Sequence, residues 1–203
     1  LLYDGTTCHA NGTSTSESIA VTSQAFHGTY NHPKYVGYMW GDYNSSTGLY
    51  ANTSDSNIKS QVQTWYTNTL VPAIGSANVD TYLADMYFCN DRSITSGNGT
   101  SGTNNFGARA RLEDAKSPQL TCPQVDNDLF TNSTSSIGNK ALGTVKAGLI
   151  TADEVAMAGG VFGQSNTSYY MYNGQYWWTG SPISFNSGRA SEFLVYNDGA
   201  LDG

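Results

Sequence analysis

Tyr169-Tyr170-Met171-Tyr172-Asn173-Gly174-Gln175-Tyr176-Trp177-Trp178-Thr179-Gly180-Ser181-Pro182 is the stretch of this chain densest in aromatic residues. Its two β-prone runs flank Asn173-Gly174, a pair that suits the tight turn of a β-hairpin and predicts one here. Downstream, Ile183 to Ser191 reads as an irregular loop and Phe193-Leu194-Val195-Tyr196 as a strand. Asn197-Asp198-Gly199 then turns the chain toward Ala200-Leu201. Strand alternation places Tyr170, Tyr172, Tyr176 and Trp178 on one face and Tyr169, Met171 and Trp177 on the other. One face must be core, and Trp177 and Phe193 are expected there. Tyr172, Trp178, Phe185, Asn186, Arg189, Glu192 and Tyr196 are then expected to face a ligand. Tyr and Trp offer large contact area at small rotamer cost, and binding surfaces combine them with Ser, Gly and Asn as this segment does.

Moving upstream, Thr151 precedes Glu154 by three positions, the spacing of a capping box, and a short helix is expected over 151–158 before Gly159-Gly160. Asp153 and Glu154 sit where the helix dipole favours acids, so they read as structural and not as a catalytic pair. Residues 106–146 read as irregular, with Arg109, Arg111 and Lys116 on a solvated surface. Ile94 to Asn105 is rich in Ser, Thr, Gly and Asn and predicts an exposed loop. A short helix is expected over 78–90 through Val79, Leu83, Met86 and Tyr87. The best-defined periodicity comes earlier: Ile58, Val62, Trp65, Tyr66 and Leu70 recur at steps of three and four behind Ser54-Asp55-Ser56. This predicts an amphipathic helix over about 54–70, stopped by Pro72. Tyr35 to Trp40 reads as a half-buried strand, and Leu1-Leu2-Tyr3 as a strand leading into an Asp4-Gly5 turn.

The 203 residues fit a single domain, 1–203, expected to be cut from something longer at both ends. Net charge is −7, and the nine Lys and Arg form no basic cluster, so nucleic acid is excluded as the expected partner. No run of about 20 apolar residues is present to span a bilayer, so no membrane contact by this segment is expected. Of Cys8, Cys89 and Cys122, none has zinc-site spacing. In an oxidising compartment Cys89 pairs with Cys122, leaving Cys8 free or bonded outside the chain. Six Asn-x-Ser/Thr sequons, at Asn11, Asn44, Asn52, Asn98, Asn132 and Asn166, read as chance in a chain of this composition.

Five ordered blocks carry a family resemblance: Leu1-Leu2-Tyr3-Asp4-Gly5-Thr6, Tyr35 to Gly41, Phe88-Cys89-Asn90-Asp91-Arg92-Ser93, Gly148 to Val155 with Ala158-Gly159-Gly160, and Tyr176 to Pro182. In them the chain resembles the C-terminal ectodomain of pilin-like, prepilin-type surface proteins of gut Firmicutes, with a C-type-lectin-like, formylglycine-generating-enzyme-like ending. The resemblance implies an extracellular, surface-attached bacterial protein of α+β, C-type-lectin-like fold, with two main helices, antiparallel strands and long loops. Its late loops and strands would carry the ligand surface. The calcium-coordinating Glu-Pro-Asn, Gln-Pro-Asp and Trp-Asn-Asp motifs of animal lectins are absent, so calcium-dependent sugar binding does not transfer.

A copper-thiolate oxidase would need two reactive cysteines late in the chain, and none follows Cys122. His9, His27 and His32 lie near no nucleophile motif such as Gly-x-Ser-x-Gly. The expectation is therefore a non-enzymatic adhesion or ligand-binding domain with no catalytic residue, metal or cofactor, recognising a protein or glycan. The alternative is a structural subunit that self-associates in a pilus or other surface filament.

Overall fold

The computed structural model describes residues 24–203 and, before them, the backbone of two short strands, β1 (Leu2–Tyr3) and β2 (Cys8–His9), which pair antiparallel. The expected Asp4-Gly5 turn, the Asn11 sequon and the Cys8 side chain lie outside the described residues. A 3-10 turn at Pro33–Tyr35 leads into β3 (Met39–Trp40), so the strand expected from Tyr35 is confined to its last residues. β4 (Tyr43–Asn44) pairs with β5 (Leu49–Tyr50), and this pair nests inside that of β3 with β6 (Ser54–Asp55).

α1 (Asn57–Trp65) starts at Ser56, whose hydroxyl accepts the Lys59 amide at 3.1 Å and donates to the Tyr38 carbonyl at 2.8 Å. Ile58, Val62 and Tyr66 form its buried face, as the periodicity requires. Pro72 does not stop this helix. A π turn over Tyr66–Leu70 shifts the hydrogen-bond ladder so that the Val71 amide reaches Tyr66, and the chain continues as α2 (Val71–Ile74). The wider turn accommodates a residue that has no amide to donate. Gly75, at φ 82°, ends the run. The next expected helix is a single turn, α3 (Val79–Tyr82): Tyr82, Met86 and Tyr87 find no core and stay exposed.

β7 (Phe88–Cys89) follows, then β8 (Ile94–Ser96) and β9 (Asn104–Phe106). The stretch expected as exposed loop is thus a β-hairpin. Its Asn104 is buried, accepting the Gly99 amide and donating to the Ser101 and Gly102 carbonyls. The loop's polar groups satisfy one another around Asn104, while residues 95–98 and 100–103 are exposed as their polarity predicts. α4 (Gly107–Arg109) runs into a π turn over Ala110–Asp114, and α5 (Val125–Asp128) leads to β10 (Leu129–Phe130), the partner of β7. The Cys89–Cys122 disulfide forms as the sequence predicts, with 5.6 Å between the Cα atoms.

α6 (Ala152–Met157) carries the expected capping box between Thr151 and Glu154. The Asn173-Gly174 hairpin is not formed: residues 169–176 are irregular. The hairpin lies further on, where β11 (Trp177–Asn186) turns through Ser187-Gly188 into β12 (Arg189–Val195). Both turn residues have positive φ, 51° and 80°, the geometry that matches the twist of paired strands. The expected loop from Ile183 to Ser191 is therefore strand on both sides of the Ser187-Gly188 turn. With β13 (Leu201–Asp202) the strands order as β13-β12-β11-β9-β8, antiparallel throughout.

The fold is α+β. Val155, Ile183, Phe193, Val195 and Leu201 fill the space between this sheet and α6, with Trp177 packed against them. A second apolar cluster joins Phe26, Tyr38, Ile58 and Phe130, and a third joins Val36, Tyr50, Phe106 and Phe185. Phe193 and Trp177 lie on the core side as expected. Phe185, expected at the surface, is buried, because β11 packs on both faces and leaves almost none of its length to solvent.

Candidate functional site

The residues singled out by sequence divide among three environments. Tyr172 and Tyr196 reach one surface, together with Tyr176, which is 59% exposed. The Tyr176 and Tyr196 rings meet edge-on with centroids 5.2 Å apart, and the Tyr172 hydroxyl donates to the Asn197 carbonyl at 3.3 Å. The turn after β12 supports them: Gly199 donates to Tyr196, and Asn166 donates to Asp198 from the neighbouring segment. Gly199 is fixed by both its φ of 83° and its packing, since a Cβ there would lie 1.8 Å from the Asn166 carbonyl oxygen. Hydrogen bonds from the Ser165 hydroxyl and the Ala200 amide hold the Asp198 carboxyl below its usual range, so it is charged beside the tyrosines.

Asn186 and Arg189 are exposed, but at the other end of β12, where they flank the hairpin turn. A strand of this length sets them about 20 Å from Tyr196. Arg189 lies over the Tyr30 ring at 5.9 Å, and Asn186 accepts from Thr103 at 3.0 Å. The seven predicted residues therefore do not converge on one site.

Trp178 and Glu192 belong to the interior instead. The Trp178 ring stands edge-on to Phe26 at 5.5 Å, and its indole nitrogen donates to the Gln24 carbonyl at 3.1 Å. Glu192 is 5% exposed: one carboxylate oxygen accepts the Gly37 amide, and the other has no partner. Burial pushes its pKa up to about 8, against the opposing influence of the Gly37 bond and nearby Arg92. Arg92 is itself buried. It donates to the carbonyls of Tyr50 and Ala51, both at 3.0 Å, and to the Asn52 side chain at 2.8 Å, with Asp128 3.9 Å away. Gly37, at φ 111°, lies so close that a Cβ would be 2.8 Å from the Arg92 side chain. This network ties the N-terminal, central and C-terminal segments together and offers nothing to a ligand.

A groove of about 320 Å³ opens elsewhere, beside the disulfide. Tyr87, Leu120, Val125 and Ile137 are among its apolar lining, and Asp91, Arg111, Asp153 and Glu154 are its charged lining. Arg111, read from sequence as solvated, is held between two carboxylates: 2.6 Å from Asp91, and doubly bonded to Asp153 at 2.8 Å. Its guanidinium is pushed up in pKa by these partners against the opposing effect of burial. No local motif announces this groove, because its residues are drawn from positions 87 to 181. Of the residues expected in a helix over 78–90, Tyr87 lies beyond the end of α3 and lines the groove instead.

Among the described residues, no group of three or more His, Cys, Asp or Glu is placed to hold a metal ion, and no helix is long and apolar enough to cross a membrane. No protein-family model matches the chain, and neither does any curated protein or solved structure.

Proposed function

We propose that this chain is an extracellular, non-catalytic ligand-binding or adhesion domain displayed on a bacterial surface, engaging a protein or glycan through Tyr172, Tyr176 and Tyr196. The finer reading, a C-type-lectin-like ectodomain of a pilin-like protein, rests on the sequence blocks given above. The observation that carries the binding reading is the tyrosine cluster. Tyr176 is exposed and Tyr172 and Tyr196 are half-buried beside it, their polar tips on a hydrogen-bonded turn next to the Asp198 carboxylate. Such rings can stack on a sugar face or pack on an apolar side chain, while their hydroxyls and neighbouring carbonyls satisfy polar groups. The disulfide supports an oxidising, extracellular setting.

The test is glycan-array and protein-array binding by the wild-type chain and by a Tyr176→Ala, Tyr196→Ala double variant. The expected result is a ligand bound by the wild type and lost by the variant, with unchanged circular dichroism. A ligand retained by the variant would sink the tyrosine surface as the site. Empty arrays together with concentration-dependent self-association would replace this reading with that of a filament subunit.

A further inference from the structure

We propose that the groove beside Cys89–Cys122 docks a peptide segment of a partner protein in which a lysine or arginine lies next to a large apolar residue. The inference stands apart from the tyrosine surface. The groove takes Thr151, Asp153 and Glu154 from the N-terminal end of α6, whereas Tyr169, which begins the tyrosine segment, packs at Gly159 beyond the other end.

Three features point to this occupant. The first is the concentration of exposed apolar side chains: Leu120 is 68% exposed, Tyr87 55%, Ile137 44% and Val125 41%, all on one groove. Isolated exposed apolar residues need no explanation, but a lined concavity of them marks an interaction surface. The second is charge. Among the described residues the lining holds three carboxylates and one cation, Arg111: Asp91 and Asp153 are buried and share Arg111, and Glu154 is the exposed acid. The charged lining therefore keeps an excess of negative charge, on a chain whose net charge is −7. That field attracts a cationic side chain and repels phosphates, anionic lipid headgroups and carboxylate ligands. The third is size. At about 320 Å³ the groove lies at the lower end for small-molecule pockets, enough for one or two side chains of a longer segment.

The wall is held ready for binding. The Gln119 amide donates to Asp153 at 3.0 Å, and Cys122 is bonded to Cys89 in β7, so Leu120 is fixed on both sides. A preformed wall spares the ligand the cost of ordering it.

The probe is an array of capped hexapeptides with a central Lys, Arg, Glu or Gln flanked by every pair of apolar residues, followed by fluorescence titration of the best binder. Lys- and Arg-centred peptides are expected to bind at least about tenfold more tightly than their Glu counterparts, with the difference shrinking as salt rises. Leu120→Ser, at an exposed position, should weaken the peptide about tenfold while leaving the melting temperature unchanged. Glu154→Gln keeps the helix cap, since Gln also serves at that position, and should reduce the salt dependence. The Tyr176→Ala, Tyr196→Ala variant should bind the peptide as the wild type does, so failure of one site is distinguishable from failure of the other. The proposal is overturned if Lys and Glu peptides bind alike, if none binds, or if Leu120→Ser leaves affinity intact. It is also overturned if sedimentation shows a wild-type dimer that Leu120→Ser dissociates, since a second copy of the chain would then be the occupant.

Discussion

Glu192 shows how one residue can be misread when only its neighbours in sequence are visible. A glutamate between Ser191 and Phe193 alternates like a solvent-facing strand residue, yet it points inward to the Gly37 amide. Its partner comes from a segment 155 positions away, which no local pattern reveals. The consequence is a pH dependence of definite sign. Burial raises the carboxyl pKa from 4.5 to about 8, so the folded state favours the protonated form. The unfolded chain releases this proton near pH 4.5, so stability from this group is fully present below that value and declines as pH rises through about 8. Glu192→Gln mimics the protonated form. It should melt at a higher temperature than the wild type at pH 9, and the two melting curves should converge near pH 4. A wild-type advantage at pH 9 would show that the carboxylate is favourably paired there.

At the scale of elements, those with a local cause were legible. The capping box of α6 is a pattern of two side chains and two amides within four residues, and it forms as read: the Thr151 hydroxyl accepts the Glu154 amide, and the Glu154 carboxylate accepts the Thr151 amide at 2.8 Å. Thr151→Ala should cost about 1 kcal/mol, a fall of about 2–4 °C in melting temperature measured by calorimetry. α1 was legible for the same reason, through its 3.6-residue period. Its end was not, because whether Pro72 breaks a helix depends on whether the ladder can widen before it, as it does at Tyr66–Leu70. The strands were harder still. Asn173-Gly174 has the better turn chemistry, but Ser187-Gly188 forms the hairpin. The long sheet around Ser187-Gly188 buries Thr179, Ser181, Ser184 and Glu192 among hydrogen-bond partners and apolar neighbours. Polar residues used inside a sheet look like loop until their partners are known.

For the whole molecule, the disulfide was the most informative long-range feature the sequence offered, and the groove was what it could not offer. A pairing among three cysteines is a small problem; a concavity assembled from residues scattered between positions 87 and 181 is not. The bridge closes a loop of 33 residues, a constraint on the unfolded chain worth about 3–4 kcal/mol. The Cys89→Ser, Cys122→Ser variant should lose about that much in denaturant unfolding, and a loss near zero would mean the unfolded state is already compact there.

The bridge also has a mechanical meaning. Between Cys89 and Cys122 lie β8, β9, α4 and Arg111, with one edge of the main sheet and the cation of the groove among them. A pull entering the chain before Cys89 and leaving after Cys122 crosses from one sulfur to the other and bypasses everything between. About 110 Å of extended polypeptide is thereby kept out of the load path. Under such a load the outer segments would be strained first, while the clamped loop carried no tension along its own backbone.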